Sequence, residues 1–201
     1  MTGFTLPPLV VDYDARWIDV DLRGDLGEWA RKTAQDMLAR SPGRHRGRDE
    51  KSLAALLETA GAMARQADDA SIALLLYPSH QDGLKALVRF CPVDLAGREG
   101  EDAWDALLAS LPAGEPPEVT KIGTAAGPCR RVRQPYAAGE ESGSPVGERL
   151  GYIWVFPQYG AGVIMTTSFV DAMEAGRWRP ALDALAAAAA LEPAEEEVRP
   201  G

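Results

Sequence analysis

The stretch that decides the fold lies at residues 150–170 and reads LGYIWVFPQYGAGVIMTTSFV. It contains two apolar runs, 150–156 and 162–170, rich in the β-branched and aromatic residues that are typical of strands. The residues QYGA at 158–161 indicate a tight turn between the two runs. Two strands joined by so short a turn pair antiparallel, so the stretch predicts an antiparallel hairpin.

Four more strands are predicted on the amino-terminal side of this hairpin. Residues 118–124 and 129–136 have strand composition and are separated by AAGP, which indicates a turn. Residues 71–77 and 84–91 are also strand-like, and the Pro and Asp-Gly between them indicate a second hairpin. Residues 137–148 are rich in Gly, Ser and Glu, so we expect a mobile loop there.

A short strand and four helices complete the order of elements. Residues 16–22 alternate in the manner of a strand, and Asp25 with Glu28 has the spacing of a capping box. The helices are predicted to begin near Asp25, Asp49, Glu101 and Pro180. The order β-α-α-β-β-α-β-β-β-β-α predicts an α+β fold, an antiparallel sheet covered by helices. We expect one domain over residues 1–191 and a disordered acidic tail over residues 192–201.

The amino terminus and the two cysteines indicate a cytoplasmic protein. Residues 1–14 lack the basic start and apolar core of a signal peptide, and no apolar run reaches the roughly 20 residues that span a membrane. Cys91 and Cys129 lie far apart in sequence and make no metal motif. We expect both thiols to be reduced and to serve as small buried apolar groups.

The charge balance bears on the partners of the protein. A net charge of −9 argues against nucleic acid, because proteins that bind it present basic patches to the phosphates. Arginine greatly outnumbers lysine, and together with the abundant alanine and glycine this indicates a bacterial origin.

A search for catalytic and cofactor motifs returns none. His45 and His80 fall in predicted loops without a neighbouring cysteine pair or carboxylate cluster, so no metal site is predicted. The segment GSPVG at 143–147 is not a nucleophile elbow, since strand and helix do not flank it. The glycines at 123–127 and 160–162 lack the remaining residues of nucleotide-binding motifs. We therefore predict no catalytic residue and no cofactor.

Two strands carry the features that come closest to a site. Arg130, Arg131 and Arg133 concentrate positive charge on one strand, where Arg131 and Arg133 share a face and could hold a carboxylate or phosphate. The alternative is that these arginines pair with nearby carboxylates and are structural. Residues 152, 154 and 156 place Tyr, Trp and Phe on one face of a strand, where they form core if a helix covers them and a binding platform if none does.

The final third of the chain resembles a known family. The strand with Arg130 and Arg133, the polar loop, the strands at 150–156 and 162–169 and the closing helix at 178–191 look like the carboxy-terminal half of the Mog/PsbP-like α/β/α sandwich. The resemblance implies a non-enzymatic protein, since members of that fold act as binding or assembly partners. It implies no catalytic residue, because the family has no shared catalytic motif.

Three hypotheses for the function follow. The first is a non-catalytic, cytosolic bacterial interaction or assembly protein, monomeric or weakly oligomeric, that holds a protein partner by a sheet face or by the loop at 137–148. The second is a protein or enzyme that binds a small anion in a pocket at Arg131 and Arg133, with His80 as a titratable neighbour. The third is an immunity-like inhibitor whose acidic surface matches a basic target.

Overall fold

The elements of the computed structural model follow the predicted order, with one extra strand near each end. The structure describes residues 6–40, 50–66, 70–78, 82–109, 111, 115–137 and 146–192. The strands are β1 (Leu9–Val11), β2 (Trp17–Asp19), β3 (Ile72–Leu76), β4 (Ala86–Asp94), β5 (Glu118–Thr124), β6 (Gly127–Ala137), β7 (Val146–Phe156), β8 (Ala161–Phe169) and β9 (Ala189–Leu191). The helices are α1 (Leu26–Arg40), α2 (Glu50–Arg65), α3 (Gly100–Ala109) and α4 (Ala172–Ala188).

Seven of these strands form one antiparallel sheet in the order β2-β3-β4-β8-β7-β6-β5. The predicted α+β class, an antiparallel sheet covered by helices, is therefore confirmed. The strands β1 and β9 were not predicted, and they pair with each other in a separate two-stranded sheet. The amide of Glu192 extends that pairing by donating to the Pro8 carbonyl at 2.9 Å. Residues 193–201 of the predicted tail lie outside the described residues.

Helices cover both faces of the large sheet. On one face, which we call the α4 face, helix α4 buries Trp178, Leu182 and Leu185 against the aromatic residues of β7 and β8. On the opposite face, the groove face, α1 and α2 cover β3 through Leu53 and Leu57. Helix α3 covers β7 and β8 on that same face, next to the helix pair. The result is three layers, with two separate groups of helices on the groove face.

The first two helices form an antiparallel pair. The Asp25 carboxylate accepts the Glu28 amide at 2.7 Å, which confirms the cap. Gln35 of α1 donates to Glu50 at the start of α2, whereas Arg65 at the end of α2 donates to backbone carbonyls that precede α1. These contacts tie opposite ends of the two helices together.

The last helix begins earlier than predicted. The Asp171 carboxylate caps it by accepting the Met173 amide, and α4 then continues through Pro180, which the sequence had suggested as its first turn. A proline inside a helix leaves the carbonyl four residues earlier, here that of Gly176, without its helical donor. Gly176 and Pro180 are both exposed, so water can bond that carbonyl, and the packing of Trp178 and Leu182 on the sheet offsets the loss.

The loop predicted at 137–148 is shorter on its carboxy-terminal side. Strand β7 already begins at Val146, and Glu148, placed in the loop by its polar neighbours, lies within the strand. Residues 138–145 lie outside the described residues. The turn after β7 is a short 3-10 helix over Pro157–Tyr159, which ends at Gly160 with φ of 60°. Glycine suits that left-handed conformation because it has no Cβ.

Strands β4 and β8 are paired over only part of their length. Their hydrogen-bonded register, which we call the seam, runs from Arg89 opposite Thr166 to Asp94 opposite Ala161. Before Arg89, strand β4 remains paired with β3, and after Thr166, strand β8 remains paired with β7. Among the described residues, the facing edges of residues 86–88 and 167–169 have no strand between them. The sheet therefore forks at this end, and we call the opening the fork.

Candidate functional site

Arg131 and Arg133 lie on the α4 face, where carboxylates meet both. The Arg131 guanidinium lies 2.8 Å from Asp183 of α4. Arg133 lies 2.7 Å from Glu118 on β5 and 2.8 Å from Glu148 on β7. The two arginines share a face, as their spacing indicates, but each of them is already paired. Their surroundings match the structural alternative considered from the sequence.

Glu148 is the most buried carboxylate of this network, with a side chain only 7% exposed. It accepts hydrogen bonds from Arg133 at 2.8 Å and from Arg179 of α4 at 3.2 Å. Burial by itself would raise the pKa of Glu148, but the hydrogen bond and charge of Arg133, followed by those of Arg179, outweigh it and lower the pKa. The charged Glu148 carboxylate therefore links β7 to β6 through Arg133 and to α4 through Arg179.

A second polar contact on the α4 face links Tyr152 to α4. The Tyr152 hydroxyl donates to Asp183 at 2.7 Å, and burial is the main cause that raises the pKa of this tyrosine. Burial likewise raises the pKa of the nearby Cys129 thiol to about 12, so the thiol is protonated at neutral pH. Tyr152, Trp154 and Phe156 are all buried under α4, so the aromatic face of β7 is core rather than a binding platform.

Arg130 points to the groove face, where α3 covers it. Its guanidinium lies 2.7 Å from Glu101 and 4.4 Å from the centre of the Trp104 ring, both on α3. The structure thus separates Arg130 from Arg131 and Arg133 by the thickness of the sheet. His80 and His45 lie outside the described residues. Cys91 on β4 and Cys129 on β6 are separated by two strands and form no disulfide.

The cavity that stands out lies on the groove face, between the α1–α2 pair and α3. This groove has a volume of about 480 Å³, which is the size of small-molecule sites in proteins. It opens onto the fork, so residues from both sides of the split sheet line it. The apolar part of its described lining includes Met63, Leu84, Leu87, Leu111 and Val132. The polar part includes Gln66, Gln134, Thr166, Thr167 and Ser168.

The charged groups among the described lining residues are all cationic, namely Lys85, Arg89 and Arg149. Lys85 reaches Glu174 of α4 at 4.0 Å. The Arg149 guanidinium stacks on the Tyr136 ring at 4.6 Å. No described carboxylate lies within ion-pair distance of Arg89 or Arg149. A protein with a net charge of −9 thus has a half-buried site in which the described charges are positive.

Arg89 and Arg149 flank strand β8 from opposite sides. Arg89 on β4 lies opposite Thr166, and Arg149 on β7 lies opposite Ser168, two residues further along β8. Standard strand spacing then separates the two arginine Cα atoms by about 12 Å, a gap that two arginine side chains can bridge onto one anion. The side chains of Thr166 and Ser168 lie between them and supply hydroxyl donors. Guanidinium and hydroxyl donors in this arrangement suit a carboxylate or a phosphate.

One further feature shows that the groove floor is open. Gly151 on β7 lies between Thr166 and Val132 and leaves the floor without a side chain at that point. The buried Thr167 hydroxyl, which has no hydrogen-bond partner among the described residues, does not belong to the groove. Its side chain alternates with those of Thr166 and Ser168 and leaves the sheet on the α4 face, as those of Met165 and Phe169 do.

Sequence reasoning missed the groove because its residues come from strands that are distant in the chain. Arg89 looks like an ordinary polar residue of β4, and Arg149 falls at the boundary of a predicted loop. The two arginines come close together only because β4 pairs with β8, and short turns do not predict that pairing. Gly151 inside an apolar strand was the available signal, because glycine there often marks a close approach.

Comparisons with known proteins add no assignment. No family model matches the chain, and neither a curated protein nor a solved structure matches it. The resemblance to the Mog/PsbP-like family therefore remains a prediction. No helix in the described ranges combines the length and apolar character needed to cross a bilayer. Within those ranges, His, Cys, Asp and Glu side chains do not gather in groups of three that could hold a metal ion.

Proposed function

We propose that this protein is a binding protein that holds a small organic anion, a carboxylate or a phosphate, in the groove. The observation that carries the proposal is the pair Arg89 and Arg149, which line a half-buried cavity and have no carboxylate partner among the described residues. An arginine in such a place retains its donors for a ligand. This develops the second hypothesis from the sequence, but with the pocket on the opposite face from Arg131 and Arg133.

The apolar part of the groove adds a second requirement for the ligand. Leu87, Leu111 and Val132 line the same cavity as the arginines, so one end is cationic and the other is apolar. Ligand sites typically combine an apolar lining with a few polar groups that orient the ligand. We therefore expect an anion with an organic body in preference to an inorganic ion.

The test compares three arginine-to-glutamine variants in ligand-observed NMR. A mixture of small organic carboxylates and phosphate esters, and a matched mixture of their neutral amides and alcohols, are added to wild type and to each variant. R89Q/R149Q removes the two groove charges, R131Q/R133Q removes the charges of the α4 face, and R98Q removes an exposed charge elsewhere. We expect saturation transfer to the anions with wild type, R98Q and R131Q/R133Q, and its loss with R89Q/R149Q.

Three outcomes would contradict the proposal. Anions that bind R89Q/R149Q as well as wild type would show that the groove arginines do not hold them. Loss of binding with R131Q/R133Q alone, in a variant that remains folded, would place the site on the α4 face. Neutral analogues that bind as well as the anions would remove the role of charge.

A second candidate function is the interaction protein expected from the sequence. It is favoured by three exposed apolar side chains at one end of the sheet: Val146 is 57%, Val170 is 70% and Met173 is 83% exposed. Val146 begins β7 inside the predicted partner-binding loop at 137–148, and Val170 directly follows β8 next to it. Exposed apolar clusters of this kind occur at protein interfaces. The acidic inhibitor hypothesis remains a prediction.

A further inference from the structure

We propose that the anion is the carboxyl terminus of an extended peptide, whose backbone adds to the open strand edges of the fork while its carboxylate lies between Arg89 and Arg149. The inference rests on the proposed function, because it names the ligand class of the same groove. It would make the groove a site at which this protein holds the end of another polypeptide.

Among the described residues, the strand edges at the fork have backbone groups that no partner strand meets. The Leu95 amide donates to the Gly160 carbonyl at 3.0 Å, and this pair is in register with the seam. Backbone groups in antiparallel strands alternate in direction, so odd-numbered residues of β4 and even-numbered residues of β8 face each other. The next pair beyond Arg89 and Thr166 would be Leu87 with Ser168, and that pair is not formed.

Leu87 and Ser168 therefore present amides and carbonyls toward the fork, and both residues line the groove. Leu87 is half-buried and Ser168 is exposed, so the demand for a backbone partner is stronger at Leu87. The ligand that repeats such donors and acceptors at matching intervals is another extended peptide, which binds by adding a strand to an open edge. A simple carboxylate or phosphate would leave most of these groups to water.

The position of the positive charge indicates the direction of the peptide. Arg89 lies where the fork closes, beside the last pair of the seam, whereas Arg149 lies across β8 with its guanidinium on the Tyr136 ring, nearer the open end. A strand that enters the fork from its open end would therefore pass Arg149 and reach Arg89 with its leading terminus. Arginine favours a carboxylate there, because a guanidinium binds that group through two parallel hydrogen bonds. The amino terminus of a peptide would be repelled.

The groove also has apolar walls that suit the side chains of such a peptide. In a strand, successive side chains point to opposite sides, so alternate side chains of the ligand would face the groove walls. Met63 at the rim is 54% exposed, and Leu84 and Leu111 line the groove with it. Methionine adapts to differently shaped apolar partners. We therefore expect a preference for an apolar residue near the carboxyl terminus, without a strict sequence requirement.

The experiment uses wild type, R89Q/R149Q and R98Q, each labelled with ¹⁵N, with amide shifts and hydrogen exchange as the readouts. The main probe is a pool of N-acetylated random tripeptides with free carboxyl termini. The same pool is tested as carboxamides and with N-methylated peptide bonds, which respectively remove the charge and block backbone pairing. Octanoate and inorganic phosphate serve as anions without a peptide backbone.

We expect the free-acid pool to bind wild type and R98Q, and to protect the amides of Leu87 and Ser168 from exchange. Since a hydrogen bond to a charged group contributes strongly to binding, the carboxamide pool should bind at least about tenfold more weakly. The affinity of R89Q/R149Q for the free-acid pool should be lower than that of wild type by a similar factor. The N-methylated pool should bind more weakly than the free acids and should not protect the two amides.

The contrary outcomes separate the two proposals. If octanoate or phosphate binds as tightly as the tripeptides, or if N-methylation has no effect, the peptide inference fails while the anion-binding function stands. If no anion distinguishes wild type from R89Q/R149Q, both proposals fail. If wild type dimerises at high concentration and R89Q/R149Q does not, a second copy of the chain occupies the fork and the free-peptide inference is wrong.

Discussion

Arg133 and Arg149 lie on adjacent strands, β6 and β7, but their side chains leave the sheet on opposite faces. Arg133 contacts Glu118 and Glu148 on the α4 face. Arg149 stacks on Tyr136 and lines the groove, and no described carboxylate lies within ion-pair distance of it. On the α4 face, arginine pairs with carboxylates and links strands and helix. On the groove face, arginine keeps its hydrogen-bond donors for a ligand. The same residue type is therefore structural or functional according to the groups that surround it.

The largest expected effect comes from removing the carboxylate that the α4 face shares. Glu148→Ala leaves Arg133 without its buried partner and leaves Arg179 unpaired, so we expect the free energy of unfolding to fall by about 3 kcal/mol. Urea denaturation followed by tryptophan fluorescence measures the loss. The matched control is Glu101→Ala, which removes a 74% exposed partner of Arg130 and should change stability much less. Equal losses in the two variants would show that the buried network contributes no special stability.

A smaller change in the free energy of unfolding is expected when the arginines of either face are replaced. R131Q/R133Q leaves Asp183 and Glu148 with fewer donors, so we expect a stability loss of about 2 kcal/mol. R89Q/R149Q removes charges that no described carboxylate meets and loses only the stacking of Arg149 on Tyr136, so its stability should stay within about 1 kcal/mol of wild type. Thermal or urea unfolding of both double variants provides the measurement. A loss in R89Q/R149Q as large as in R131Q/R133Q would mean that the groove arginines are structural.

The smallest expected effect is a difference in acid sensitivity. The pKa of Glu148 is lower in the folded protein than in the unfolded chain, so its contribution to stability is present above the unfolded value of about 4.3. That contribution is lost as the pH falls through the lowered pKa of the folded state. Below about pH 5, wild type should therefore lose stability more steeply than Glu148→Gln. Urea midpoints from pH 7 to pH 3 test this, and parallel curves would contradict a lowered pKa.

The sequence predicted elements whose signals are local. The hairpins and the cap at Asp25 depend on short turns and spacing, and alternation placed Trp154 on one face with Tyr152 and Phe156 without deciding between core and binding platform. The start of α4 was wrong because the rule that places proline at a first turn is local, whereas packing on the sheet carries the helix through Pro180. Strands β1 and β9 were missed because three residues show no periodicity and each strand requires the other.

The candidate site depended on information that the sequence does not carry locally. Clustered arginines on β6 drew attention to Arg131 and Arg133, yet charge clustering says nothing of which carboxylates stand nearby. Arg89 and Arg149 lie far apart in the chain and meet across β8 only because β4 joins β8. Whether an arginine is paired follows from the order of strands in the sheet, and the sequence left that order open.

The seam also sets an order of events during folding. Strands β5 to β8 follow one another in the chain and pair with their neighbours, so the loops between them are short and cost little entropy to close. The seam joins residues 89–94 to residues 161–166, roughly 70 positions away, and closing so long a loop costs more entropy. We therefore expect the β3–β4 hairpin and the sheet of β5 to β8 to form first, and the seam between them to form late. Because the groove begins where the seam ends, a partly folded chain would contain both of these units and still be unable to capture a ligand.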